Sequence, residues 1–176
     1  KDDNDCLDSI PVIITQPNIG VSSTSSFIEP TCNGASDGEI TILTTGGTPN
    51  YEYSIDGGTT WQTSNVFSNL TAGNYTINIK DDNDCPESIP VIVTQPDILT
   101  VNIGAVTNVS CFGGNNGEIN VTPNGGTPNY EYSIDSGVNW QTSNVFSNLT
   151  EGNYTINIKD DNDCLDSIPV IITQPN

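Results

Sequence analysis

The stretch Asn153-Tyr154-Thr155-Ile156-Asn157-Ile158 alternates apolar and polar residues, which is the pattern of a β-strand with one buried and one hydrated face. Around it, short β-branched runs are separated by clusters of Gly, Asn, Pro and Asp, as in all-β domains and unlike helical ones. We count seven such runs in a repeat, one of them a short edge piece near Trp140. Seven short strands predict an immunoglobulin-like β-sandwich.

The chain repeats itself with a period of 79 residues. GGTPNYEYSID occurs at 46-56 and again at 125-135, and WQTSNVFSNLT occurs at 61-71 and again at 140-150. The first eighteen residues are also identical to the last eighteen. A fixed period of this kind is the mark of a tandem array. We therefore expect this chain to be part of a longer periodic polypeptide.

The period sets the predicted domain limits. Residues 1-17 are expected to be a terminal strand of a preceding repeat, followed by immunoglobulin-like repeats at 18-96 and 97-176. The repeats join through Thr94-Gln95-Pro96-Asp97, a short connection whose proline fixes its own φ and restricts the residue before it. A stiff joint between domains with termini at opposite poles predicts a rod.

Five cysteines recur at the spacing of the repeat and are the disulfide candidates: Cys6, Cys32, Cys85, Cys111 and Cys164. No Cys-x-x-Cys or Cys/His cluster suggests zinc, so disulfides in an oxidising, extracellular setting are the natural interpretation. Cys32 could pair with Cys85 inside one repeat or with Cys164 of the next. Both connectivities stay open from the sequence.

The charge of the chain excludes several partners. It has 3 Lys+Arg against 22 Asp+Glu, no His, and a net charge of -19. This charge disfavours nucleic acid and anionic membranes, and no apolar run approaches the length of a spanning helix, so we expect no membrane insertion. Without His there is no ordinary serine or cysteine triad, and no phosphate loop is present. The sequence predicts a protein that is not an enzyme.

Four motifs resemble the SprB repeat: CNGASDGEI at 32-40, GGTPNYEYSI at 46-55, LTAGNYTI at 70-77 and DNDC at 82-85. That family is found in very large cell-surface proteins of Bacteroidota, including the gliding-motility adhesin for which it is named. The resemblance implies type IX secretion, display at the outer membrane, and a role in adhesion or in building a surface filament.

Each repeat contains an acidic turn that is a candidate calcium site. The candidate ligands are Asp81, Asp82 and Asp84 in the first repeat and Asp160, Asp161 and Asp163 in the second. Calcium prefers hard oxygen ligands such as these. The alternative is a turn that uses Asp and Asn for local hydrogen bonds, and the spacing lacks the EF-hand Gly and Glu. No cofactor is required for the predicted fold.

Two further pairs of residues are candidates for glycan chemistry. Trp61 and Trp140 follow turns and could contact sugar rings, or could equally pack on an edge. Ser9 and Ser167 lie in Asp-Ser-Ile triplets, which resemble the O-glycosylation sequon of exported Bacteroidota proteins.

The sequence therefore supports two hypotheses about function. The first is a structural and adhesive module of a large, extracellular, outer-membrane-associated surface protein, in which stacked repeats form a stiff stalk or filament for adhesion or gliding. Its partners would be neighbouring repeats and copies of itself. The second is a carbohydrate-binding module that gains avidity for surface glycans from its repeats.

Overall fold

The computed structural model describes residues 10-15 and 19-176, and these residues form strands and turns without a helix. The predicted all-β class is confirmed. In chain order the strands are β1 (Ser22–Ile28), β2 (Gly38–Thr45), β3 (Glu52–Ser54), β4 (Val66–Leu70), β5 (Gly73–Lys80), β6 (Pro86–Val93), β7 (Thr100–Thr107), β8 (Gly117–Asn124), β9 (Glu131–Ser133), β10 (Val145–Leu149), β11 (Gly152–Lys159) and β12 (Leu165–Ile172). The described residues contain no helix that could span a membrane.

The strand order in the sheets is that of an immunoglobulin-like domain. Within the described residues there are four three-stranded sheets, β1-β2-β4, β3-β5-β6, β10-β8-β7 and β12-β11-β9. In each repeat the first, second and fourth strands share one sheet, and the third, fifth and sixth share the other. These are the positions of strands A, B and E and of strands C, F and G in the immunoglobulin fold.

The short edge piece predicted near Trp140 is a single bridge and not a full strand. The structure has a single bridge there, in which Tyr132 and Gln141 exchange two backbone hydrogen bonds of 2.8 and 2.9 Å. Six strands therefore form in the described part of each repeat, where the sequence predicted seven. The edge piece stays short because Asp135 and Ser136 turn the chain immediately before it.

Strand β11 shows why the alternating stretch decides the fold. It lies between β12 and β9 and pairs antiparallel with both. Ile156 and Ile158 are 0% exposed, and Tyr154, two residues earlier, is half-buried. The predicted buried face is confirmed.

The core of the second repeat is aliphatic with two aromatic side chains. Its buried members are Leu99, Val101, Val109, Ile119, Val121, Tyr132, Phe146, Ile156, Ile158, Val170 and Ile172. Most of them come from the inner faces of the two sheets, so burial of apolar surface holds the sheets together. The matching positions of the first repeat, such as Ile40, Ile77 and Ile79, are 0% exposed as well.

A glycine turn fixes the start of the second repeat. Gly125 has a φ of +70°, and a Cβ there would lie 2.1 Å from the carbonyl oxygen of Ile98. The neighbouring Gly126 amide donates to the Asp97 carbonyl at 2.9 Å. Only glycine fits this close approach, which ties the residues just after Pro96 to the body of the repeat.

Contacts divide the chain into two compact units. One takes its described residues from Lys1–Ser25, Ile42–Asn65 and Thr76–Ile89, and the other contains Ser26–Thr41, Val66–Tyr75 and Pro90–Asn176. The second unit includes the complete second repeat and the loop before β2. The predicted domain limits at 17/18 and 96/97 and the rod arrangement stay predictions.

The leading segment is described only at residues 10-15. These residues belong to no strand, and their aliphatic side chains are open to solvent, with Ile10 82% and Ile14 93% exposed. Their sequence, IPVIIT, is identical to residues 168-173, which contribute to β12. That residues 1-17 are a terminal strand of a preceding repeat stays a prediction.

Candidate functional site

A disulfide joins the first repeat to the second. Cys32 lies in the loop between β1 and β2, and Cys164 lies in the turn between β11 and β12. Their Cα atoms are 5.7 Å apart, and the cysteines are 132 residues apart in the sequence. Of the two connectivities left open by the sequence, the structure has the one between repeats. Cys85 and Cys111 carry exposed, free thiols, and Cys6 lies outside the described residues.

A hydrogen bond from the turn that carries Cys164 to the loop that carries Cys32 lies beside the disulfide. The Asn162 side-chain amide donates to the Thr31 carbonyl at 3.0 Å, next to Cys32. Thr31 is itself held by Asp37, which accepts from its amide at 3.0 Å and from its hydroxyl at 2.6 Å. The loop that carries Cys32 therefore has a defined conformation from its own hydrogen bonds.

The linker between the repeats is bound to the same loop. The Asn33 side-chain amide donates to the Pro96 carbonyl at 2.9 Å, and the Gly34 amide donates to Gln95 Oε1 at 2.8 Å. Gly34 has a φ of +79°, which directs its amide toward the glutamine. The loop, the linker and the turn together form one site, which we call the junction: residues 31-34, 95-96 and 162-164.

Asp160 shapes the turn that carries Cys164. Its side chain is buried, with 3% exposure. Oδ1 accepts from the backbone amides of Asn162 at 3.0 Å and Cys164 at 2.9 Å, while Oδ2 accepts from the Thr127 amide at 2.7 Å. A carboxylate that satisfies three amides holds the turn rigidly and aims the cysteine outward.

The first repeat repeats this arrangement with Asp81. Backbone amides of Thr48 and Cys85 hold the pKa of Asp81 below its usual value, because they stabilise the ionised form. The pKa of the Cys85 thiol is raised, first by partial desolvation from neighbouring protein atoms and then by the carboxylates of Asp81 and Asp84. The thiolate is therefore less populated at Cys85 than at an ordinary cysteine.

The structure places the calcium candidates in these two turns. Asp81 and Asp160 direct their oxygens at backbone amides, whereas Asp82, Asp84, Asp161 and Asp163 are exposed. Among the described residues no group of three or more acidic, Cys or His side chains is arranged to hold a metal ion. Calcium binding stays a prediction.

The described lysines each lie at the centre of a small cluster of charged and aromatic groups. Lys159 Nζ is 2.7 Å from Glu131, 3.4 Å from Asp163 and 5.2 Å from the centroid of the Trp140 ring. Lys80 repeats these contacts, and its Nζ lies 5.1 Å from the ring of Trp61. A cation over an aromatic face is favourable, and the lysine shields one face of each tryptophan.

The turn before Trp140 is built by a second carboxylate. The Asn139 backbone and side-chain amides donate to Asp135 at 2.9 and 2.6 Å, and the Ser133 hydroxyl donates to it at 2.7 Å. These bonds lower the pKa of Asp135 to about 2, the Asn139 backbone amide contributing most. The Trp140 ring packs on Gly137, where a Cβ would lie 3.2 Å from it.

A shallow cleft of about 320 Å³ opens beside Trp140. Its lining residues are Ser136, Gly137, Trp140, Asn157, Leu165, Asp166 and Ser167. Trp140 is half-buried and Trp61 is 37% exposed, so both tryptophans pack partly on an edge and keep an accessible surface. Sugar contact by these residues stays a prediction.

The glycosylation candidate Ser167 is exposed on β12, while Ser9 lies outside the described residues. The acid before Ser167 has a structural function, because Asp166 accepts from the Val101 amide at 2.8 Å and so connects β12 with β7. In the first repeat Glu87 accepts in the same way from the Ser23 amide at 3.0 Å. O-glycosylation stays a prediction.

Sequence reasoning missed the hydrogen-bonding residues of the junction. Asn162 was part of a proposed calcium turn, and Gln95 was a linker residue without a function. The sequence does have an asparagine and a glutamine at the matching positions of the other repeat: Asn83 matches Asn162, and Gln174 matches Gln95.

The comparison with known protein families agrees with the motifs quoted above. The SprB repeat model matches residues 24-60 and 103-139. Two segments of the chain are therefore similar to the SprB repeat. The predicted resemblance is confirmed, and the two matched segments are offset by the period seen in the sequence. No curated protein sequence matches the chain.

Three solved structures align with the chain at low sequence identity. The three N-terminal domains of the bacteriophage RB49 Highly Immunogenic Outer Capsid protein align with a TM-score of 0.51, at 16% identity over 88% of this chain and 59% of that one. A C-terminal fragment of intimin, in complex with the intimin-binding domain of Tir, aligns with a TM-score of 0.42, at 12% identity over 89% and 64%. Domains 4-9 of surface layer protein SbsC align with a TM-score of 0.36, at 16% identity over 92% and 31%. This chain thus spans less than two thirds of each of these chains, and the likeness to the capsid protein shows the fold alone.

Proposed function

We propose that this chain is a tension-bearing spacer in an extracellular surface protein, and that it acts through the covalent joint between its SprB repeats. The repeat family and the immunoglobulin-like fold support a structural module. The resemblance further supports display at the outer membrane after type IX secretion, and a part in adhesion or gliding. We assign no catalytic activity to it.

The observation that carries the proposal is the position of the cross-link in the chain. Cys32 precedes β2 and Cys164 follows β11, so the disulfide encloses all strands from β2 to β11. Tension applied at the two chain ends passes through the sulfur atoms and bypasses these strands. A spacer built in this way resists extension even when its sandwiches are destabilised.

Single-molecule stretching from the two chain ends tests the spacer function. The oxidised chain is expected to show no length gain from the enclosed strands. After reduction, the 132 residues between the cysteines should add about 450 Å, at roughly 3.4 Å for each extended residue. Cys164→Ser should behave like the reduced chain, whereas Cys85→Ser, at the matching position of the other repeat, should behave like the oxidised one. An oxidised chain that releases the full length would contradict the proposal.

The adhesive role is tested on cells that display the chain. Detachment under flow should occur at lower shear for Cys32→Ser than for the unmodified chain at equal surface density. Equal detachment would show that the joint does not contribute to adhesion.

The cleft beside Trp140 favours one alternative, a carbohydrate-binding module. The Trp140 ring has an accessible surface, and the Asn157 side-chain amide and the Ser167 hydroxyl line the same cleft. An aromatic ring beside polar groups suits a sugar ring. In titrations of the full chain with oligosaccharides, Trp140→Ala should weaken binding strongly and Trp140→Phe should weaken it less. Absence of binding to the unmodified chain would remove this alternative.

A further inference from the structure

Two free thiols occupy the same repeat positions as the two cysteines of the junction. Cys111 lies 79 residues after Cys32, and Cys85 lies 79 residues before Cys164. Both are exposed. The described residues therefore contain one unbonded copy of each half of the junction, a loop with Cys111 and a turn with Cys85; Cys6 occupies the turn position as well and lies outside the described residues.

The loop that carries Cys111 already has the conformation of the bonded loop. In the bonded loop the Ala35 amide donates to the Cys32 carbonyl at 3.0 Å, and in the free loop the Gly114 amide donates to the Cys111 carbonyl at the same distance. The side chain of Asn116 accepts from the amide before the cysteine at 3.0 Å, as Asp37 does in the bonded loop. The free loop is ordered without the disulfide.

The glutamine contact of the junction is also in place at the free loop. Gln174 Oε1 accepts from the Gly113 amide at 2.7 Å, as Gln95 Oε1 accepts from the Gly34 amide at 2.8 Å. Gly113 has a φ of +70°. The chain that leaves the second repeat is therefore held against the free loop in the same manner as the linker is held against the bonded one.

The turn that carries Cys85 matches the bonded turn. Asp81 Oδ1 accepts from the amides of Asn83 and Cys85 at 2.9 Å each, close to the 3.0 and 2.9 Å in the bonded turn. The Asn83 side-chain amide donates to Thr48 Oγ1 at 2.8 Å. The Asn162 side-chain amide makes the matching bond to Thr127 Oγ1, so the two asparagines are held in the same way. Asn162 also donates across the junction to the Thr31 carbonyl at 3.0 Å.

One contact differs between the two junctions. Phe112 stands where the bonded loop has Asn33, so the hydrogen bond to the linker carbonyl has no counterpart. Phe112 is 77% exposed. The disulfide, the Asn162 contact and the Gln95 contact of the bonded junction do not involve this position.

We infer that Cys111 of one chain forms a disulfide with Cys85 of a second copy, which extends the array end to end through the same junction that Cys32 and Cys164 make within a chain. The two halves are different surfaces, so the contact is heterologous, and each bonded copy keeps one free half for the next copy. The inference deepens the proposed spacer function by naming its partner, a second copy of this chain.

The reaction needs an oxidant, for which a small-molecule disulfide such as oxidised glutathione is sufficient. It first forms a mixed disulfide with one cysteine and releases one small thiol. The thiolate of the other cysteine attacks the protein sulfur of that bond; the Cys111–Cys85 bond forms and the mixed disulfide breaks. The second small thiol leaves with the electron pair and takes up a proton, so one small disulfide is reduced to two thiols.

The test uses two single-thiol variants in a Cys6→Ser background. One adds Cys85→Ser and keeps Cys111, and the other, isotopically labelled, adds Cys111→Ser and keeps Cys85. They are mixed in equal amounts with oxidised glutathione, at high protein concentration and in enough salt to screen the acidic chains. Non-reducing peptide mass mapping then counts the mixed dimer and both homodimers.

Specific docking should favour the mixed dimer by about tenfold or more over each homodimer, because docking raises the effective concentration of the matching thiols. Random collision would make the mixed dimer only half of the product. That ratio, or the absence of covalent dimer, would overturn the inference. Neither outcome bears on the stretching behaviour of the single chain, so failure here is distinguishable from failure of the spacer function.

A second variant tests the geometry. Asn83→Ala removes the amide that should donate to the Ser110 carbonyl of the other copy, and it should lower the excess of mixed dimer severalfold. Asn162→Ala, the matched change in the bonded turn, should leave that excess unchanged. Equal effects of the two substitutions would contradict the inferred contact.

Discussion

Removing the cross-link between Cys32 and Cys164 is expected to lower the free energy of unfolding by several kcal/mol. The disulfide restricts the unfolded chain, and the restriction grows with the number of residues in the closed loop. For the 132 residues between these cysteines, the chain-entropy relation gives about 5 kcal/mol at room temperature. Losses measured on removing native disulfides are about 2 to 5 kcal/mol, so Cys164→Ser should fall in that range.

The segment that the disulfide closes determines which repeat loses stability when the cross-link is removed. The closed loop contains most of both repeats, from the loop before β2 to the turn after β11. If one repeat unfolds alone, the disulfide still closes a loop through that repeat. The loss of stability should therefore be visible in both repeats.

Each repeat has one tryptophan to report its unfolding. Trp61 lies in the first repeat and Trp140 in the second. Guanidinium unfolding followed by tryptophan fluorescence, in Trp61→Phe and Trp140→Phe backgrounds, reads the two repeats separately. Cys164→Ser should move both midpoints down by about 1 M.

The repeat supplies a matched control. Cys85→Ser makes the same change at the equivalent turn, where the thiol is free, and it should leave both midpoints nearly unchanged. Equal midpoints for the Cys164 and Cys85 variants would refute the reasoning. A loss confined to one tryptophan would refute the coupling through the loop.

Three further predictions concern single sites. The pKa of Asp135, about 2, lies below the value of about 3.9 in an unfolded chain. The ionised carboxylate therefore stabilises the fold above pH 4, and this contribution is lost as the pH falls toward 2. Asp135→Asn should reduce the drop in Tm between pH 4 and pH 2, measured by circular dichroism. The raised pKa of Cys85 should shift its alkylation by iodoacetamide to higher pH, and Asp84→Asn should shift it back by removing one nearby carboxylate; an unchanged profile would contradict this cause. Ile156→Ala should cost about 2 to 5 kcal/mol because the side chain is 0% exposed, whereas Ile171→Ala, 64% exposed, should cost little in the same denaturation assay.

The strands of this protein were predictable from local sequence. A residue's face in a strand follows from its parity, so the alternation in β11 identifies Ile156 and Ile158 as buried without knowledge of any partner strand. The period of 79 residues then predicts that whatever holds for one repeat holds for the other. The edge piece near Trp140 shows the limit, because it pairs with Tyr132 at one residue only and the local sequence does not show how far such pairing extends.

The junction was not predictable in the same way. The sequence by itself determined that five cysteines recur, that the sandwiches are immunoglobulin-like, and that a short proline linker joins them. Only the tertiary structure decided that Cys32 bonds Cys164 and leaves Cys85 free. A disulfide requires two Cα atoms within about 7 Å, and the 5.7 Å approach of these residues depends on a loop, a linker and a turn that are separated by up to 132 residues. Such proximity is set by the packing of whole elements, which no local pattern contains.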